Sequence, residues 1–268
     1  MRGRQLDLFA ATGIPPASPL QPKPGRPEPV PADLDDAAVI DALPWAGMAE
    51  AAALADEAGR RRLVAAVPAL VRLCRRFAGF GRERAVPEQV AALHALALIG
   101  GAEAARAVAR LIAEDAVQGP TRKVAVGIAA QLGSALPAGT VLALLRDADP
   151  DVRAAACRCT GSWPAVVPVL IALMDDGDSN VRVAALCALG RMGRREVGPA
   201  LTRLLRDAPS PEVIESIPGI ADEDCIVLLG RLARTRPTLA GAALDALRLI
   251  NHPRARQIAA ALDAGRRG

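Results

Sequence analysis

The stretch LLRDADPDVRAA at residues 144–155 recurs as LMDDGDSNVRVA at residues 173–184, an offset of about 29 residues. A worn third copy, LLRDAPSPEV, lies at residues 204–213, and looser relatives run to Gly133 and to about Gly100. Each copy has the order helix, aspartate-bearing turn, helix, glycine. A period of about 30 residues with this order is typical of a solenoid built from two-helix repeats.

The constant positions of the repeat have physical roles. Aspartates in the turn are predicted to cap the second helix, because their side chains can accept hydrogen bonds from its first backbone amides. Val152 and Val181 are predicted to face the core, while Ala155 and Ala184 allow neighbouring helices to approach closely.

Arg153 and Arg182 occupy equivalent positions in the two best copies. They could form a functional pair, but we favour a structural role in which each arginine bonds to the aspartate of the next turn. Isolated charge pairs of this kind contribute little stability each, so their main role would be to fix the register of the stack.

The pattern Leu-Leu-x-Asp-x-Asp/Ser-x-x-Val-Arg-x-x-Ala, ending in Leu-Gly, resembles the HEAT family, particularly its short bacterial repeats. Two units match closely and two or three loosely. The resemblance implies an all-α protein, a right-handed α-solenoid of HEAT-like helical hairpins. The last copies depart from the pattern, with Ile214 in place of arginine and a helix-breaking Pro218-Gly219 pair. We therefore expect a kink at residues 209–222.

Composition divides the chain into two parts. Residues 1–31 are rich in proline and are predicted to be a disordered tail and linker, extended at roughly 3 Å per residue. Residues 32–268 are predicted to form the solenoid. Its first helix should begin at the aspartates Asp33, Asp35 and Asp36 and end at Leu43, ahead of a proline.

The tail contains a short apolar motif, Gln5-Leu6-Asp7-Leu8-Phe9. It resembles the peptide with which bacterial polymerases and repair proteins bind the β sliding clamp, and all five positions match. Leu8 and Phe9 are suited to a preformed apolar pocket, and the Gln5 amide to a polar subsite at its edge. The alternative is that the motif folds back and caps the protein's own solenoid.

Charge and composition exclude several classes of protein. The 268 residues are 51% hydrophobic and 2% aromatic, lack tyrosine and carry a formal net charge of +4, which is no nucleic-acid signature by itself. No apolar run reaches the roughly 18 residues of a membrane span, and none follows the N-terminal arginines as in a secretory signal. We therefore expect a cytoplasmic protein that binds no membrane.

Five scattered cysteines are predicted to be buried in a reducing compartment: Cys74, Cys157, Cys159, Cys187 and Cys225.

No catalytic, metal or cofactor site is predicted. His94 and His252 are the only histidines, and neither adjoins a glutamate as in iron-binding HEAT-like proteins; His94 is expected to be a partly buried helix residue. Trp163 is expected to pack at a helix start, and the aromatic cluster of HEAT-like DNA glycosylases is missing. HEAT-like lyases that attach bilins to phycobiliproteins are not excluded, although a clamp-binding peptide has no place in them. We expect the chain not to be an enzyme.

A run of arginines near the start of the solenoid is a candidate basic surface, with Glu83 as the only acidic residue within the run. A shared face would contact DNA without sequence preference, whereas the default is a solvated face. Its candidate members are Arg61, Arg62, Arg72, Arg75 and Arg76.

Two main hypotheses of function follow. In the first, the chain is an adaptor that binds the bacterial sliding clamp through residues 5–9 and a second, unknown protein through its repeats, with possible non-specific DNA contact. In the second, it is a general HEAT-repeat scaffold or complex subunit whose N-terminal peptide is a cap or binds another protein. A lyase or glycosylase is a third, weaker hypothesis.

Overall fold

The computed structural model describes residues 33–265, and the predicted disordered tail lies outside that range. Fifteen α-helices occupy the described residues, and these residues contain no β-strand. No helix among them is both long and apolar enough to span a bilayer. The helices are α1 (Asp36–Ala42), α2 (Met48–Arg60), α3 (Val67–Arg76), α4 (Pro87–Ile99), α5 (Gly101–Ala113), α6 (Gly119–Gln131), α7 (Ala138–Leu144), α8 (Pro150–Arg158), α9 (Val167–Leu173), α10 (Ser179–Arg191), α11 (Gly198–Asp207), α12 (Pro211–Glu215), α13 (Glu223–Thr235), α14 (Ala240–Leu249) and α15 (Pro253–Gly265).

The helices pair into successive hairpins, and the hairpins stack in two rows. The even-numbered helices form one row, in which α2 packs on α4, α4 on α6, α6 on α8, and so on to α14. The odd-numbered helices form the other row, with contacts such as α3 on α5, α11 on α13 and α13 on α15. We call these the even row and the odd row. The all-α solenoid of helical hairpins predicted from the repeats is confirmed.

The two rows differ in how much of each helix is buried. Helices of the odd row, such as α3 and α11, are amphipathic and expose one polar face. Helices of the even row are enclosed on most sides: α10 buries Val181, Ala184, Ala185, Cys187 and Ala188. Small side chains suit this row, because it contacts its own hairpin partner and both neighbouring even helices.

The turn aspartates cap the even helices as predicted. A side-chain oxygen of Asp149 accepts a hydrogen bond from the backbone amide of Asp151 at 2.8 Å at the start of α8. At the equivalent position before α10, the Asp178 side chain accepts from the amides of Asn180 (2.8 Å) and Val181 (3.2 Å). The first helix is also confirmed, since α1 is capped by Asp35 and closed by Leu43.

Arginines connect one turn to the next in part of the stack. Arg153 donates to both carboxylate oxygens of Asp176 at 2.8–2.9 Å, and this contact lowers the pKa of the Asp176 carboxyl. Arg122 of the preceding hairpin pairs with Asp147 at 3.1 Å. The prediction that the repeat arginine bonds to the aspartate of the next turn is therefore confirmed for Arg153.

Arg182 departs from the prediction. Its guanidinium donates to the carbonyl oxygens of Asp176 and Gly177, which belong to its own turn, at 2.7 and 3.1 Å. The equivalent residue of the next copy, Asp207, is present, but it lies in the last turn of α11 and forms no ion pair with Arg182 among the described residues. The arginine keeps its local role of satisfying turn carbonyls.

The irregularity predicted for residues 209–222 is present. Helix α12 has only five residues, Pro211–Glu215, and Pro218-Gly219 lies in the turn that follows. This turn packs tightly on α10: a Cβ atom at Gly190 would lie 2.7 Å from the backbone oxygen of Ser216. Because real Cβ atoms do not approach so closely, the glycine is needed for the turn to cross α10 here.

We predict that Asp178→Ala lowers the free energy of unfolding by about 1 kcal/mol, because it leaves the first amides of α10 without their side-chain acceptor. Urea denaturation followed by circular dichroism measures the change. Asp175→Ala is the matched control, since Asp175 is exposed and lies three residues before Asp178. Equal effects of the two substitutions would contradict the capping role.

Candidate functional site

The clamp-like motif lies outside the described residues. Gln5, Leu6, Asp7, Leu8 and Phe9 therefore remain a prediction from the sequence, and so does the alternative that they cap the solenoid.

Arg61, in the predicted basic surface, is enclosed by acceptors from α1 and α2. Its guanidinium donates to Glu57 at 2.6 Å, to Asp36 at 2.9 Å and to the carbonyl oxygen of Leu34 at 2.8 Å. The Arg61 side chain is only 18% exposed. This arginine holds the first hairpin together and has little surface for a partner.

Two further arginines of the run also bond within the protein. Arg75 of α3 forms a two-oxygen ion pair with Glu114 just after α5, with a shortest distance of 2.8 Å. Arg76 donates to the carbonyl oxygen of Ala46 at 2.7 Å and lies over the ring of Phe77. These contacts connect α3 to the turns beside α2 and α5.

The run is therefore less basic in the fold than in the sequence. Glu83 is its only internal acid, but the structure brings in Asp36, Glu57 and Glu114 from outside it. Arg62 and Arg72 remain exposed on the surface. A DNA-binding face at this end of the solenoid stays a prediction, now carried by these two residues.

A groove lies on the even row in the central part of the solenoid. It has a volume of about 470 Å³ and lies where α6, α8 and α10 end and α12 crosses them. Its charged residues alternate in sign: Arg158 and Arg191 are cations, and Glu212 and Glu215 are anions. We call this surface the even-row groove.

An ion pair across the helix ends shapes this groove. Arg158 of α8 donates to both carboxylate oxygens of Glu212 at 3.0 Å, although α10 intervenes in the sequence between α8 and α12. Arg191 at the end of α10 donates to the carbonyl oxygen of Cys157 at 3.1 Å. The interruption after α11 places α12 over the ends of its neighbours, so the departure from the repeat pattern creates the groove.

The cysteines beneath this surface do not supply a nucleophile. All five are free and buried, as predicted. Burial raises the pKa of the Cys157 and Cys159 thiols to about 12 and that of Cys187 to about 11. A thiol of such high pKa stays protonated near neutral pH and is a poor nucleophile. The groove is therefore suited to recognition through hydrogen bonds and charge.

The residues considered for catalysis or metal binding do not converge. His94 is exposed on α4, which corrects the expectation that it is partly buried. His252 accepts a hydrogen bond from the backbone amide of Arg254 at 3.3 Å and so stabilises the start of α15. Trp163 precedes the short 3-10 turn at residues 164–166 and is 44% exposed. Within residues 33–265, no three metal-ligating side chains form a cluster.

Sequence reasoning missed a buried polar pair at the start of α4. The Gln89 amide donates to the carbonyl oxygens of Cys74 at 2.8 Å and Ala116 at 2.9 Å, and so connects α3 and α4 to the turn after α5. Its neighbour Glu88 is also buried, and one carboxylate oxygen has no hydrogen-bond partner among the described residues. A glutamine directly before the apolar run VAALHALALI was the available signal, because a buried amide must find acceptors.

Comparison with known proteins supports the repeat architecture. A family model described as HEAT repeats matches residues 138–221. A search of curated proteins finds no significant sequence match. Among solved structures, a chain of the complex of CpcE and CpcF of phycocyanin lyase from Nostoc sp. PCC7120 is similar to 93% of this chain, over 99% of its own length. The TM-score is 0.55 and the sequence identity 18%, so the likeness is one of fold.

This comparison corrects one expectation. We expected the chain not to be an enzyme, yet a solenoid that matches it over nearly its whole length belongs to a lyase complex. We inferred the lack of activity from missing motifs, and a HEAT-like fold can serve an enzyme without a local motif of the kinds we sought.

We predict that Glu57 stabilises the first hairpin in a pH-dependent manner. Hydrogen bonds from Arg60 and Arg61 lower the pKa of its carboxyl from 4.5 to about 2. A carboxyl whose pKa is lowered in the folded state contributes stability above its unfolded pKa, and that stability is lost as the pH falls toward the folded pKa. The melting temperature of the wild type should therefore exceed that of Glu57→Gln at pH 7, with the difference shrinking from about pH 4.5 to pH 2.5.

Glu83→Gln is the control for this experiment, because Glu83 is exposed and forms no ion pair among the described residues. A constant difference between the wild type and Glu57→Gln across this pH range would contradict the assignment.

Proposed function

We propose that this chain is a helical-repeat adaptor that binds the bacterial sliding clamp through residues 5–9 and a second protein through the even-row groove. The observation that carries the proposal is the five-residue motif, in which every position matches the clamp-binding pattern. The first helix begins only at Asp36, so residues 10–35 separate the motif from the solenoid. At about 3 Å per residue for an extended chain, this segment allows the two parts to bind different partners.

Residues 5–9 would bind in the manner of a short linear peptide. Leu8 and Phe9 provide the apolar anchors, and the Gln5 amide can donate and accept at a polar subsite. A peptide of this size buries little surface and must become ordered, so we expect a dissociation constant in the micromolar range, about −8 kcal/mol.

The even-row groove supports the second half of the proposal. Its walls carry both cations and anions. The ion pair between Arg158 and Glu212 is partly exposed. Such a surface favours a partner segment of mixed charge, since each charged group can be satisfied by one of opposite sign. Alternation of charge gives specificity rather than high affinity, which suits an adaptor.

The test is a titration of the full-length chain with purified bacterial sliding clamp, followed by fluorescence anisotropy. Wild-type protein should bind with micromolar affinity, and Leu8→Ala with Phe9→Ala should weaken binding at least 30-fold, about 2 kcal/mol, because the buried anchors are removed. The matched control, Leu20→Ala with Val30→Ala, removes apolar side chains from the same part of the chain outside the motif and should bind like wild type. Absence of wild-type binding at 100 μM clamp would refute the proposal.

A second candidate is a subunit of a two-chain lyase complex, which the fold comparison favours because it covers 93% of this chain. HEAT-like lyases of this class act on bilins, so visible absorption spectroscopy provides the test. If this candidate is correct, a free bilin added to the purified chain should show a red-shifted, intensified band that saturates near one equivalent. An unchanged spectrum, with clamp binding intact, would favour the adaptor.

A further inference from the structure

A second groove lies on the odd row, between α11 and α13, and its charge differs from that of the even-row groove. One part, of about 540 Å³, is lined by the start of α13 and the exposed side of α11. A smaller part, of about 180 Å³, continues toward the end of α13. Arg206 lines both parts, so the two adjoin on the surface of α11 and α13. We call this surface the arginine channel; its cations are Arg195, Arg203, Arg206, Arg231 and Arg236.

These five arginines are available for a ligand. All five are exposed, and none forms an ion pair or side-chain hydrogen bond with any described residue. Arg61, Arg75 and Arg76 at the other end of the solenoid differ, since their guanidinium groups bond within the protein. Exposed arginines without a side-chain partner among the described residues also occur on α3 and α5, but α11, α13 and their ends bring five of them to two adjoining grooves.

The acidic residues of the channel lie at one end. Asp222 caps α13 by accepting a hydrogen bond from the backbone amide of Cys225 at 2.8 Å, and Asp224 follows in the first turn. The arginines continue from α11 to the last turn of α13 and beyond. Arg195, Arg203 and Arg206 come from the α11 side of the channel, and Arg231 and Arg236 come from the α13 side.

The chemistry of the channel favours a duplex nucleic acid as its ligand. Arginine presents a planar fork of donors that matches phosphate oxygens. The chain has no aromatic residue after Trp163, so the channel lacks the stacking platforms with which proteins bind single-stranded bases and the aromatic anchors common at peptide-binding sites. Charge without stacking is typical of contact with the phosphate backbone of a duplex.

We propose that the arginine channel between α11 and α13 binds the phosphate backbone of duplex DNA without sequence preference. This inference goes beyond the proposed clamp and protein contacts and does not depend on them, since it rests on described residues alone. It also assigns the DNA contact to the C-terminal part of the solenoid instead of to the arginine run that begins at Arg60.

The experiment measures binding of the full chain to a labelled 20-base-pair duplex by fluorescence anisotropy at 50–200 mM salt. Each phosphate contact contributes about −0.9 to the slope of log affinity against log salt, so five contacts give about −4.5. Arg203→Gln, Arg206→Gln and Arg231→Gln combined should reduce the slope by about 2.7 and weaken binding at least tenfold at 50 mM salt. Glutamine keeps helix propensity and a polar surface, so the fold should be retained, and circular dichroism verifies this.

The matched control removes the same charge from elsewhere on the odd row, with Arg106→Gln, Arg110→Gln and Arg146→Gln combined. These arginines are exposed on α5 and just after α7. The control should bind within twofold of wild type. An equal loss of affinity in the control would show that binding depends on net charge and not on the channel, which would overturn the proposal. Absence of wild-type binding at 50 mM salt would also overturn it.

A polyglutamate competitor distinguishes a nucleic-acid site from one for acidic proteins. At equal charge concentration it should displace the duplex at least tenfold less effectively than unlabelled duplex does. Equal displacement would overturn the assignment to DNA. Because this assay contains no clamp, its outcome is separate from that of the clamp titration.

Discussion

No hairpin of this protein can bury its apolar surface alone, and the close contact between successive even helices is the constraint on which the rest of the structure depends. Helix α2 approaches α4 so closely that a Cβ atom at Gly59 would lie 2.8 Å from the Cα of Ala95. Such contact requires small side chains along the even row, which explains the abundance of alanine there. It also leaves the even row few exposed positions, so binding groups are confined to helix ends and to the odd row.

The repeat turns could be predicted from the sequence because their interactions are local. The Asp178 side chain bonds amides two and three residues away, and Arg153 reaches the turn of the next hairpin. Interactions of this range recur with the period of the repeat, so two copies of the pattern are enough to identify them. The buried positions Val152 and Val181 follow from the same period.

The basic surface could not be assigned from the sequence, because its partners are distant in the chain. Arg61 bonds to Asp36, 25 residues away, and Arg75 to Glu114, 39 residues away. The sequence of the run shows only the residues within it, whereas the fold determines which distant acidic residues pair with its arginines. The same reason explains why the arginine channel was missed: its members come from two helices that are separated by the irregular segment around α12.

The interruption at α12 connects the structural constraint to function. A regular solenoid presents the same shallow surface at every repeat, but the short α12 lets Glu212 reach Arg158 across α10 and separates α11 from α13 by an irregular turn. Both grooves border this one irregularity. A place where a sequence breaks its own repeat loses regular packing, so it is where a binding site is to be expected.

The three proposed weak contacts, joined in one chain, would have a consequence that none would have alone. Once residues 5–9 bind a clamp, the solenoid is held near that partner, and a linked site experiences an effective concentration in the millimolar range. A non-specific DNA contact of 10⁻⁴–10⁻⁶ M is then largely occupied, although it would be mostly empty for the free protein. Because the arginine channel is on the odd row and the mixed-charge groove on the even row, DNA and a protein partner need not compete for one surface. Weak sites on different surfaces, joined in one chain, allow assembly that is selective for places where all partners are present.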